Sequence, residues 1–87
     1  MLLNYLMKEF RTSDLKGEMV VVVSKVPGLK FSGILLEYFE SNGSIVLKDY
    51  TIHRMKRGKW YVEETGDIIF IKGDAYAEII CPKFSKK

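Results

Sequence analysis

Glutamine is absent from this 87-residue chain, and cysteine, histidine and tryptophan each occur once. A lone Cys81 cannot close an internal disulfide, which excludes a disulfide scaffold and fits a reducing compartment. His53 and Cys81 stand too far apart for a metal-ligand motif, and no glycine-rich phosphate loop is present. The parts of an enzyme are missing, so neither catalysis nor a cofactor is expected. No stretch approaches the roughly 20 apolar residues that span a bilayer, and Met1 to Phe10 lacks the basic start and small-residue cleavage site of a signal peptide. A cytoplasmic protein without a membrane partner is the expectation. The chain is also too short for two cores. The absence of glutamine beside abundant Lys, Glu, Ile and Val leans towards a thermophile.

What is present is the composition of a folded domain, 47% hydrophobic and 29% charged, with 13% aromatic residues to fill a small core. The net charge of +3 is unevenly spread. Arg54, Lys56, Arg57 and Lys59 crowd one segment and Lys83, Lys86 and Lys87 another, so the rest of the chain is net acidic. Such a segment either contacts phosphate or merely keeps the surface solvated.

Leu2, Leu3, Leu6, Met7 and Phe10 repeat at spacings of three and four, which predicts a short amphipathic α-helix ended by the turn formers Thr12, Ser13 and Asp14. Strand patterns follow. Met19 to Val23 is a β-branched run apolar on both faces, one for a core and one for the helix to cover. Phe31, Gly33 and Leu35 alternate, then Leu36, Tyr38 and Phe39 fall out of step, as a β-bulge would produce. Gly33 marks a sharp bend. Ser41-Asn42-Gly43-Ser44 is a hairpin turn leading into Ile45 to Tyr50. His53 to Lys59 reads as a basic loop, Trp60 to Val62 and Ile68 to Ile71 as strand with a turn or bulge at Thr65-Gly66-Asp67, and Lys72-Gly73-Asp74 as a turn into Ala75 to Ile80. Pro82 ends the ladder. The expectation is an all-β domain over residues 1–82, a helix followed by five short strands in a meander closed into a small barrel, with a basic tail over 83–87. The apolar character of the last two strands on both faces predicts self-association, because an open edge recruits other chains.

The order Leu15-Lys16-Gly17, Val20 and Val22, Gly33-Ile34-Leu35, Ile45-Val46-Leu47-Lys48-Asp49 and Ile71-Lys72-Gly73-Asp74 resembles the Sm and Sm-like proteins, of the archaeal kind, across roughly Leu2 to Pro82. The last segment looks like the family's Ile-Arg-Gly-Asp/Asn turn with Lys for Arg. The resemblance implies a strongly bent, five-stranded SH3-type barrel with an N-terminal helix, closed into a hexameric or heptameric ring by pairing the fourth strand of one subunit with the fifth of the next. It also implies single-stranded RNA, often uridine-rich, at the inner rim, in a role as RNA chaperone or scaffold in RNA processing.

The family's RNA pocket is built from two loops that hold an unstacked base between a plane and a cation while a polar group reads its edge. Lys72, Gly73 and Asp74 match the second loop. In the first, Glu40 replaces the family's Asp, Asn42 or Ser44 its base-reading Asn, and no His, aromatic or Met occurs between Ser41 and Ser44. Lys lacks the stacking plane of Arg, so a weak uridine preference is expected. Each feature also has a purely structural reading: Asn42-Gly43 and Lys72-Gly73-Asp74 as turns, Trp60 and Tyr61 as packing residues rather than base stackers. Two other functions fit the same residues, a ring that serves as a protein-interaction or assembly platform with lost base-specific binding, and a monomeric barrel that grips double-stranded DNA through Arg54 to Lys59.

Overall fold

The computed structural model describes residues 11–82. The expected helix at Leu2–Phe10 and the basic tail lie outside the described residues. Thr12–Leu15 forms a 3-10 turn closed by Asp14, whose carboxylate accepts from the Arg11 amide at 3.0 Å, the local bonding expected of such residues. Five strands follow: β1 Met19–Ser24, β2 Leu29–Phe39, β3 Ser44–Lys56, β4 Lys59–Ile71 and β5 Tyr76–Ile80.

Alternation places Val20 and Val22 of β1 in the interior, where they meet Leu15, Leu35, Ile45, Leu47, Ile71 and Cys81. This core is folded over by bends. Between Ser32 and Ile34 of β2 the register with β3 shifts, two β3 residues opposing Gly33, and one of them, Asp49, takes a positive φ of 52°. A Cβ on Gly33 would lie 2.9 Å from the Lys48 carbonyl oxygen and 3.2 Å from the Tyr50 Cα, so only glycine allows the strands to approach this closely. Tyr50 in turn faces Gly66 of β4, and its ring occupies the space a side chain there would need. Gly33, Tyr50 and Gly66 thus carry one fold line across three strands. The slip in alternation after Leu35 is a second bulge, with Leu36 unpaired between Leu35↔Leu47 and Glu37↔Val46.

Three expectations are corrected. The sheet order is β4-β3-β2-β1-β5, so the chain is a meander only as far as β4. β5 then crosses to pair with β1, Val22 opposite Ile79, because the 3-10 turn Gly73–Ala75 carries the chain over the open end of the barrel instead of folding it back. Second, β3 and β4 are long, and the basic segment is strand up to Lys56. Arg57 and Gly58, with φ of 51° and 79°, close a two-residue turn of the kind that needs positive φ at both central positions. Third, Thr65-Gly66-Asp67 continues β4 without a turn. The strand edges of β4 and β5 have no partner among the described residues, and Ile68 and Phe70 on β4 are 54% and 56% exposed.

Candidate functional site

Where β2 passes into β3 the chain must reverse, and Gly43, at φ 77°, permits it. The amides of Asn42 and Gly43 donate to the Phe39 carbonyl at 3.3 and 2.7 Å, and Asn42 Oδ1 accepts from the Ser44 amide at 2.9 Å. That bond fixes which end of the Asn42 amide faces the turn. Its nitrogen, a donor, makes no bond among the described residues.

The crossover after β4 locks onto this turn. The Gly73 amide donates to Ser44 Oγ at 3.2 Å, and Tyr76 donates its hydroxyl to the Gly43 carbonyl at 2.5 Å. Burial, with Tyr38 nearby as a lesser cause, pushes the Tyr76 phenol above its usual range, which keeps it a neutral donor. The backbones touch: a Cβ at Gly73 would overlap the carbonyl group of Asn42. Ser44 is buried, and its hydroxyl oxygen, accepting from the Gly73 amide, ties the two loops together.

Asn42, Ser44, Lys72, Gly73 and Asp74 line one concavity of about 270 Å³ together with Phe70. Five of the six residues proposed for the rim pocket therefore come together from segments almost thirty residues apart. Glu40 does not join them; it is exposed and lies off the lining. Lys72 is the cation of the site and forms no ion pair among the described residues. Phe70 is the residue that sequence reasoning missed. With Phe39 it also lines an adjoining depression of about 220 Å³, the two rings 6.3 Å apart and tilted by 54°, in the range where aromatic pairs attract. The aromatic plane absent from the turn itself is supplied by the strands on either side. The signal was an apolar residue out of step with its strand, at Phe39.

The four basic residues proposed as phosphate contacts lie elsewhere. Ile45↔Ile71 marks one end of the β3–β4 ladder and Lys56↔Lys59 the other, so the concavity and the basic segment are at opposite ends of two long strands. Arg54 donates to Glu63 at 2.6 Å; this bond holds the Glu63 carboxyl below its ordinary range and the guanidinium above its own. Lys30 Nζ lies over the Trp60 ring, 4.1 Å from its centroid.

Comparison with solved structures sets this geometry beside known proteins. The Sm protein of Pyrococcus abyssii, solved in complex with a uridine heptamer, superposes with a TM-score of 0.63 at 23% identity over 93% of this chain and 97% of its own. A heptameric archaeal Sm protein does so with a TM-score of 0.59 at 19% identity, over 78% of this chain and 90% of its own. This chain has the Sm fold. No protein-family model and no curated protein matches its sequence, so the likeness is one of fold. No helix among the described residues is long and apolar enough to cross a membrane.

Proposed function

We propose that the chain is a subunit of an Sm-like ring that binds single-stranded RNA at the concavity and acts as a chaperone or scaffold in RNA processing, by binding and not by catalysis. The observation that carries this reading is the convergence of Asn42, Lys72 and Asp74, a donor, a cation and an acceptor, beside the exposed Phe70 ring. A flat base with polar edges needs that set: a face to stack on, charge for its phosphate, and complementary edge groups. The Asn42 nitrogen donates to a base carbonyl and Asp74 accepts from a base N–H, a pairing that uracil satisfies. The solved Sm protein bound to a uridine heptamer supports the choice of uridine-rich RNA.

The unpaired edges support the ring. β4 of one subunit pairs with β5 of the next, covering Ile68, in a hexamer or heptamer; the heptameric archaeal relative is a precedent. We place the domain at residues 1–82, the basic tail at 83–87 and the protein in the cytoplasm. Titration with oligouridine, oligoadenosine and duplex RNA tests the reading. Binding of oligouridine that is weakened by Lys72→Ala, with the assembly intact, is expected. A Lys72→Ala protein that binds as tightly as the parent removes the concavity as the RNA site. The platform alternative draws on Ser44 and the Asn42 oxygen being consumed within the loops, and an intact ring with no affinity for any oligonucleotide is its signature.

A further inference from the structure

The far end of the β3–β4 hairpin carries features that the concavity does not use. Register pairs alternate faces along it: Arg54↔Tyr61 and Lys56↔Lys59 share one side, while His53↔Val62 and Met55↔Trp60 take the other. The hairpin end is thus two-faced, cationic on one side and apolar on the other. A register shift at Ile52/His53 leaves Glu63 as the extra residue of β4, and this bulge sets its carboxylate against Arg54. Arg54 is neutralised. Lys56, Arg57 and Lys59 form no ion pair among the described residues, and Tyr61, half exposed, lies among them. It lines one depression of about 590 Å³ with Arg54, Lys56, Val62 and Glu63 and another of about 410 Å³ with Lys56 and Arg57.

We infer that this face is a second site for single-stranded nucleic acid, at which one base stacks on Tyr61 while Lys56 and Arg57 hold the phosphates beside it. Cations alone recognise any polyanion; an exposed phenol between them adds a flat apolar face, and only an unpaired base presents a matching one. A duplex buries its base faces in its own stack, and an acidic peptide has none to offer. Trp60, the other aromatic, lies on the opposite face of the hairpin, with the Lys30 ammonium over its ring. From Tyr61 to Phe70, β4 runs roughly 30 Å along its contour, so a base on Tyr61 and a base in the concavity belong to distant nucleotides of a long strand, or to two strands. The inference rests on the RNA reading above only for the choice of polymer.

The test uses the full chain with labelled long oligouridine and a duplex RNA of equal length. Tyr61→Leu should weaken binding of the single strand roughly 5- to 100-fold, the loss of one stacked base, whereas Tyr61→Phe, which keeps the ring, should not. Lys56→Gln with Arg57→Gln should flatten the salt dependence by up to about two units, one per lost contact. Both effects should persist in a Lys72→Ala background. If they do while Lys72→Ala itself changes nothing, the concavity reading fails and the hairpin site stands. Unchanged affinity and salt slope in the hairpin variants, equal losses in Tyr61→Leu and Tyr61→Phe, or an equal effect of Tyr61→Leu on duplex binding would each overturn it. Ultraviolet cross-linking of the long oligomer should label the peptide that contains Tyr61; labelling confined to the concavity's peptides has the same adverse meaning.

Discussion

Asn42 does two things with the two ends of one amide, and substitution separates them. Its oxygen holds the turn through the Ser44 amide; its nitrogen is the edge reader proposed for the base. Asn42→Asp keeps the acceptor and deletes the donor. Thermal stability should stay within about 0.5 kcal/mol of the parent, as for surface changes that break no structural bond, while oligouridine loses its advantage over oligoadenosine in competition binding. Asp74→Ala should likewise alter base preference more than affinity, and Lys72→Arg should sharpen preference for uridine by adding a stacking plane. Gly73 is different in kind. Its Cβ space is filled by the Asn42 carbonyl, so Gly73→Ala must part the two loops at a cost of about 1–3 kcal/mol, measurable by denaturant unfolding, with RNA affinity falling in step. His53 supplies a pH dependence. Burial, and secondarily Lys30, lowers its pKa below 6.5, so the fold prefers the neutral ring. Stability from this group is complete above the unfolded pKa near 6.5 and is lost as pH falls through the lower folded value. Replacement by Gln, which retains a partner for the Ser32 hydroxyl that now bonds His53 Nε2 at 3.0 Å, should flatten that part of the acid limb in pH-dependent unfolding.

At the scale of the strands, the fold line through Gly33, Tyr50 and Gly66 decides whether the sheet curls. Gly33→Ala forces its new Cβ against backbone on β3, and a loss of about 1–3 kcal/mol is expected in urea denaturation. Gly58→Ala meets no neighbour and pays only for its positive φ, about 1–2 kcal/mol. Such local devices were readable in the sequence: the bend at Gly33 and the bulge at Leu36 showed as glycine within a strand and as a break in alternation. The lengths of β3 and β4 were not, because Arg54, Lys56 and Lys59 on one face of an exposed hairpin look like loop composition. Nor was the pairing of β5 with β1, since Lys72-Gly73-Asp74 marks a turn without naming the strand it leads to. The concavity was legible in most of its polar members through motif order. Phe70 was not, because an apolar residue in a strand reads as packing until the other side of that strand is seen to be empty.

For the whole molecule the decisive quantity is how many copies assemble. Among the described residues the sheet has two free edges, and with Ile68 more than half exposed on one of them it has apolar surface and backbone groups that a neighbour would cover. Light scattering at micromolar concentration should therefore give a species several times the 10.1 kDa protomer, and a monodisperse monomer would remove the ring and the rim site with it. The informative substitution is one whose side chain faces away from its own core. Ile69 and Ile79 pack against that core, so charging them would unfold the subunit and leave assembly unread. Ile68 is exposed and pairs with Lys48 of β3 across the ladder, and Phe70 is reserved because it lines the concavity. Ile68→Lys should leave the folded subunit intact by circular dichroism. In a ring, the same charge is buried without a partner, at a cost of several kcal/mol per interface, repeated at every contact around the circle. The expected outcome is a folded monomer or a ladder of small oligomers. An unchanged ring in that variant would place Ile68 outside the interface and require the subunits to meet through another surface.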